Sequence, residues 1–266
     1  MRKSPRDMMK DALMFTKEQI DQAARLFVQA RQTHTPGPRL PESCRPPDAV
    51  AAIAIQYRTL ELLGEKIGGW KCGIPTPNGV MLAPITASTI TRTSPSPFPG
   101  PKATIEPEIA FVMARDLPPR ATAHTDAEIR GAILEARFCL ELINTRFASK
   151  GDASFLEILA DCFNNWGLFV GPVVPNALTR PLERLHARIT TPTATIFDDT
   201  RAHPSGHPLT SFTWLVHYLN GRGEGLKAGD IVTTGSYAGV VDVPTGQPLR
   251  VELEGIGVIE TQLISA

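Results

Sequence analysis

The chain has 266 residues, 42% of them apolar, with 21 glycines and 24 prolines. That describes an ordinary turn-rich globular protein of one large domain, or one domain with a smaller cap. Lysine plus arginine and aspartate plus glutamate both number 27, so the formal charge is zero; no basic stripe argues for nucleic acid and no acidic tail for a disordered partner segment.

Residues 1–7 are basic, but an amphipathic stretch follows them and not an apolar core, so no secretion signal is expected. A helix is expected over 16–31. Thr16 stands at its N-cap with Gln19 completing a capping box, and Ile20, Ala23, Ala24 and Phe27 recur at helical spacing. A breaker-rich link runs over residues 33–41 and ends near Pro46-Pro47, where regular structure is excluded. Asp48 then caps a second helix reaching about Leu63, with Ala51, Ile55 and Leu62 on its buried stripe and Gly64 as its stop.

From Gly68 onward short apolar runs alternate with glycine and proline, the texture of a strand-rich region. Strands are expected at 67–73, 79–82, 104–115, 136–143, 165–171, 187–191, 194–198, 231–234, 249–253 and 256–264. Helices interrupt them at about 125–134, 153–161 and 211–221. The expected division is a helical segment over 1–66 and a β-rich domain over 67–266. No internal period of 20–50 residues suggests a repeat architecture, and no run reaches the ~18 apolar residues that span a bilayer. Cys44, Cys72, Cys139 and Cys162 are scattered without a Cys-x-x-Cys pair. That argues against a zinc ribbon or disulfide framework and for a reducing, cytoplasmic setting.

The stretch Ile105-Glu106-Pro107-Glu108-Ile109-Ala110-Phe111 organises the chemistry. On a strand, Glu106 and Glu108 share one face while Ile105, Ile109 and Phe111 take the other. Two adjacent anions on an apolar element repel and lose hydration, and a bound cation would reverse that sign; a solvated edge strand is the plain alternative. Glu141, between two leucines, is the third carboxylate, and Arg137 on the same strand face offers an ordinary ion pair instead. Three acids without a nearby histidine suit Mg²⁺, Mn²⁺ or Ca²⁺, not structural zinc. Lys71 follows two glycines inside an apolar run. Held in low dielectric it has a depressed pKa and serves proton transfer; otherwise it snorkels to solvent. His203 and His207, separated by Pro204, Ser205 and Gly206, read as a structural turn leading into a helix. Thr233-Thr234-Gly235-Ser236 ends a strand with donors suited to a carboxylate, and its spacing matches no phosphate loop.

Taken together these stretches resemble the fumarylacetoacetate hydrolase superfamily, and within it the branch of 2-oxopent-4-enoate (2-hydroxypentadienoate) hydratases and 4-oxalocrotonate decarboxylases. The resemblance runs from about residue 15 to the C-terminus. It is carried by Gly69-Trp70-Lys71-Cys72-Gly73, Ile105–Phe111 with Arg115-Asp116-Leu117-Pro118, Leu140-Glu141-Leu142-Ile143-Asn144-Thr145-Arg146, Ala160-Asp161, Gly206-His207-Pro208-Leu209, the run from Leu226 to Gly235, and Glu254-Gly255-Ile256-Gly257. It implies an α+β fold: a mixed β-roll with flanking helices and an N-terminal helical segment. It also implies a metal-dependent lyase of aromatic catabolism acting on a 2-oxo acid through a metal-stabilised enolate. Mg²⁺ or Mn²⁺ would be held by Glu106, Glu108 and Glu141, Lys71 would be the catalytic acid/base, and Asp161, Thr234 and Gly235 would contact substrate. A cytoplasmic homo-oligomer with no nucleic-acid or membrane partner is expected. Asn78–Ile85 carries no acid where the hydratase branch usually has an Asp-Met pair, which opens carbon–carbon hydrolysis of an acylpyruvate as an alternative. Cys162-Phe163 stands where the branch commonly has Asn. A non-catalytic 2-oxo-acid-binding or assembly subunit is the remaining alternative.

Overall fold

The computed structural model describes residues 15–100, 102–149 and 151–265; the basic opening segment, with the expectation attached to it, lies outside the described residues. The chain divides into two compact units, one running through Gly64 and taking in Arg146–Asp161, the other comprising Glu65–Thr145 and Cys162 onward. The expected boundary near residue 66 therefore omits one feature: residues 146–161 return to the helical unit.

In the helical unit, α1 (Lys17–Thr33) starts where Thr16 and Gln19 form the reciprocal capping box, and it buries Ala23, Ala24, Phe27 and Ala30. Helix α2 (Ala49–Leu63) opens on Asp48, whose side chain accepts from the Ala51 amide at 2.8 Å. It stops at Gly64, which takes φ 69°, a backbone angle that costs glycine nothing. The returning segment adds Phe147, packed edge-on against Phe27 at 5.6 Å, and carries the short helix Phe155–Ala160. Gln56 of α2 donates to the Leu159 carbonyl of that short helix at 2.5 Å.

The second unit contains two sheets. Strands β1 (Ile67–Thr76) and β2 (Gly79–Thr86) form a hairpin, followed by the short β3 (Ile90–Thr91) and β4 (Ser96–Phe98) and then the long β5 (Lys102–Met113). Next come β6 (Ile133–Ile143), β7 (Asn165–Val173), β8 (Arg184–Thr190) and β9 (Thr195–Ala202). After a helix at Pro208–Gly221, the chain ends with β10 (Ile231–Ser236), β11 (Val241–Pro244), β12 (Pro248–Leu253) and β13 (Gly257–Ser265). One sheet runs β2-β1-β10-β5-β6-β7-β3 with β11 also on β5; the other runs β4-β13-β12-β8-β9. This is the expected mixed α+β fold, with a curled main sheet. All ten expected strands form. The short β3, β4 and β11 were not foreseen: at two to four residues they are too brief to show periodicity.

The helix expected over 125–134 spans only Asp126–Arg130. Gly131 ends it, and Ile133 joins β6, where the ladder to β5 outweighs local helical preference. On the main sheet Ile85, Ala110, Val112, Cys139, Leu168, Val170 and Ile231 form a buried cluster. The helix Pro208–Gly221 lies on β5 through Phe212, 5.1 Å from Phe111. Its N-cap is His207, whose Nδ1 accepts from the Leu209 amide at 3.1 Å. All four cysteines are free and buried. Among the described residues no helix is long and apolar enough to cross a membrane.

Candidate metal centre

Strand β5 is central to the main sheet, with β6 on one edge and β10 and β11 on the other. Register places Glu106 directly opposite Glu141 and Glu108 opposite Cys139. Cross-strand partners face the same side, so the two glutamates of β5 meet Glu141 on one face. One carboxylate oxygen from each of the three lies within 4.8 Å of the others.

Lys71 reaches this cluster from β1. That strand pairs in parallel with β10, with Lys71 beside Thr233, and Thr233 in turn lies opposite Ala110 of β5. Lys71 Nζ lies 2.7 Å from Glu141 Oε1 and 3.7 Å from Glu106 Oε2, and donates to the Phe163 carbonyl at 3.4 Å. The ion pair between Arg137 and Glu141, the alternative to a ligand role, does not form. Arg137 donates to Glu135 at 2.7 Å, and Glu141 takes Lys71 instead.

Glu108 is held differently. The β10–β5 ladder slips between Thr233 and Ser236. The slip turns the Thr234 and Gly235 amides out of the ladder, and both donate to Glu108 Oε2, at 2.9 and 2.8 Å. Gly235 sits at φ 124°, and a Cβ there would fall 2.6 Å from Pro204 Cγ, so glycine alone fits. Thr234 Oγ1 donates to the Ile109 carbonyl at 2.7 Å, and the Thr234 carbonyl accepts from Ser211 Oγ at 2.9 Å. Thr234 and Gly235 do present donors to a carboxylate, but it is the protein's own. Their polar groups fix Glu108, leaving them to line the cavity.

Asp161 was expected at the substrate. It is 1% exposed, forms an ion pair with Arg146 Nε, accepts from the Arg146 amide at 3.0 Å, and does not line the cavity.

The electrostatics are lopsided. Burial pushes the Glu108 carboxyl well above the ordinary range, and the neighbouring Glu141 and Glu106 push it further. Burial alone would lower Lys71, as the sequence suggested. The Glu141, Glu106 and Glu108 charges overcome it and raise Lys71 above its usual value, so the ammonium is retained. With all three carboxylates ionised, as ligation would require, they and the one ammonium sum to −2, which one divalent cation cancels. Glu141 leaves a place for it: Oε1 is held by Lys71 and by Asn165 Nδ2 at 2.7 Å, while the buried Oε2 has no partner. An all-oxygen set with an orphaned carboxylate oxygen fits a hard divalent ion.

Sequence reasoning missed Asn165, which orients Glu141, and Ser211, which braces the β10 slip. Asn165 opens an otherwise apolar strand, and that polar start was the one available signal. It also missed the turn at Cys162, Phe163 and Asn164, where three successive non-glycine residues take φ between 47° and 59° and present the Phe163 carbonyl to Lys71. Such strain persists only where the surroundings enforce it. The cluster opens into a cavity of about 620 Å³ lined by Lys71, Glu106 and Glu108 together with Met81, Phe163 and Val240 among others.

The fumarylacetoacetate (FAA) hydrolase C-terminal family matches residues 75–264. A 2-keto-4-pentenoate hydratase of Paraburkholderia phymatum is 29% identical over 86% of this chain and 90% of its own length. A relative of the same name from Paraburkholderia xenovorans is 25% identical over 94% of this chain and 97% of its own length. Among solved structures, a 4-oxalocrotonate decarboxylase from Pseudomonas putida G7, complexed with magnesium and adipate, superposes with a TM-score of 0.76 at 20% identity. It covers 94% of this chain and 99% of its own. The same enzyme complexed with calcium and acetate gives 0.75.

Proposed function

Because the chain belongs to the fumarylacetoacetate hydrolase family, we propose that its carboxylate cluster is the centre of a divalent-metal-dependent lyase, a hydratase or decarboxylase acting on a 2-oxo acid. The convergence of Glu106, Glu108 and Glu141 around Lys71 carries the reading. Relatives named as hydratases, and a fold neighbour holding magnesium or calcium, support it. Mg²⁺ or Mn²⁺ would be held by the three glutamates. It would supply positive charge to the 2-oxo oxygen as electrons accumulate there.

The residues of this chain do the rest. The β10 amides fix Glu108 so that it need not reorganise when the cation binds. Asn165 and Lys71 hold Glu141 Oε1 and so aim Oε2 at the ion. Lys71 Nζ, protonated at the cavity wall, is the group that delivers a proton to the substrate's carbon chain. A cytoplasmic homo-oligomer, as in the resemblance, is part of this proposal.

A second reading keeps the site and changes the bond broken, to hydrolysis of an acylpyruvate. One observation favours it: of residues 78–85 Met81 alone lines the cavity, and none of them is an acid that could activate water for hydration. Product analysis on unsaturated 2-oxo acids and acylpyruvates with Mg²⁺ separates the outcomes, which are a 4-hydroxy-2-oxo acid, CO₂, or pyruvate plus a second acid. Metal-loaded protein that turns over none of them rules out the enzymatic reading.

A further inference from the structure

We propose that the cavity selects a 2-oxo acid with a single carboxylate and a bulky, apolar, aryl-sized tail, and rejects a second carboxylate at the far end of the chain. This rests on the 2-oxo-acid reading above and deepens it.

The charge inventory of the walls comes first. Among the described residues lining the cavity, the sole cation is Lys71, and it lies at the metal end against Glu141 and Glu106. No arginine, histidine or second lysine lines the remainder. A substrate whose 2-oxo acid end approaches the glutamates must run its other end along what is left.

What is left is uncharged apart from the glutamates and mostly apolar, with Thr76, Asn164, Ser205 and Ser236 among its polar members. Beyond Lys71, β1 continues through Gly73 to Pro75, and β2 returns with Met81 paired to Gly73. A Cβ on Gly73 would lie 3.7 Å from Met81 Sδ and 3.8 Å from its Cε, so the thioether lies over the gap the glycine leaves. Ile143, two positions past Glu141 on the same strand face, extends the wall, and Phe163 lines it too. At the rim Ile74 is 39% exposed and Val240 64%; both are large apolar side chains open to water.

Volume sets the size of the tail. At about 620 Å³ the cavity falls in the range, roughly 300–1,000 Å³, that encloses drug-sized ligands. A five-carbon acid would leave much of it to water. A methionine in the wall adapts to tails of differing shape. A terminal carboxylate placed here loses its hydration and finds no cation, which is how a site rejects a competitor strongly.

Three saturated probes isolate the tail from turnover: 2-oxopentanoate, 2-oxo-5-phenylpentanoate and 2-oxoadipate, titrated calorimetrically into the Mg²⁺-loaded protein. The phenyl compound should bind at least about 10-fold tighter than 2-oxopentanoate, as expected for burying a phenyl group. 2-Oxoadipate should bind at least about 10-fold weaker than 2-oxopentanoate. 2-Oxoadipate binding as tightly as the phenyl compound, or no preference for phenyl, overturns the proposal and leaves the lyase reading standing. Binding of none of the three, with Mg²⁺ bound, overturns both. Val240→Lys, at an exposed rim position where folding is not at stake, should raise 2-oxoadipate affinity at least about 10-fold and lower that of the phenyl compound. Unchanged affinities for both would remove Val240, and with it the rim, from the tail path.

Discussion

Lys71 is the one positive group among three carboxylates, and its replacement separates metal binding from proton transfer. Lys71→Met keeps the stem that packs along β1 and removes the ammonium. General acid–base contributions of about 10²–10⁴-fold in kcat are expected to vanish. Mg²⁺ affinity should hold or rise, since the ion no longer competes with an ammonium for Glu141. Isothermal titration beside steady-state kinetics would show it, and undiminished kcat would remove Lys71 from the chemistry. His203 offers a test on another residue. It is 3% exposed, its Nδ1 accepts from the Ser205 amide, and burial lowers its pKa from 6.5 to about 4. The folded protein thus refuses a proton that the unfolded chain accepts. The stability this group contributes is complete above pH 6.5 and lost as pH falls toward 4, at most about 3 kcal/mol. His203→Asn, which retains an acceptor for Ser205, should flatten the loss of urea stability between pH 6.5 and pH 4.5. An identical loss in both proteins would assign that slope to other groups.

Strand β10 does at the element scale what no single side chain could. Its slip releases two amides from the ladder and delivers them to Glu108, and it depends on Gly235 at φ 124° with Pro204 packed against it. Gly235→Ala should therefore cost about 1–3 kcal/mol of stability from strain and overpacking. It should weaken Mg²⁺ binding by about 10–100-fold through the lost support of a ligand. Denaturant unfolding and calorimetry read the two effects separately; normal metal affinity in a destabilised variant would mean the amides do not position Glu108. The strand itself was legible in the run Ile231–Thr234, as was the period-two pattern that put Glu106 and Glu108 on one face. What could not be read was partnership across distance. The parallel pairing of β1 with β10 joins residues 162 positions apart, Lys71 takes Glu141 where Arg137 was nearer in sequence, and Asp161 belongs to Arg146. Local pattern constrains which face a residue takes, but register is decided by the whole sheet. The same limit explains the truncated helix at Asp126–Arg130, whose expected last turn β6 claims for its ladder with β5.

Across the molecule, the two units treat buried acids in opposite ways. In the helical unit Glu157 pairs with Arg39 at 2.8 Å and Asp161 with Arg146, so each burial is locally neutral. In the β-rich unit Glu106, Glu108 and Glu141 share one lysine, and their crowding with burial drives Glu108 toward its protonated form. Buried like charges destabilise a fold unless something external offsets them, so stability and metal occupancy are expected to be linked. Mg²⁺ at 100 times its Kd should add about 2.7 kcal/mol. For a chain of this size that raises Tm by roughly 5–10 °C, and a chelator should reverse it. Glu108→Gln removes one buried charge while its side-chain carbonyl can still accept from the β10 amides. Without metal it should melt at or above the wild-type temperature, and Mg²⁺ should then shift it little. Differential scanning calorimetry of both proteins, with Mg²⁺ and with chelator, decides between this and a cluster that is merely structural. A Glu108→Gln protein that melts lower than wild type without metal yet keeps the full Mg²⁺ shift would mean that Glu108 serves the fold and not the ion.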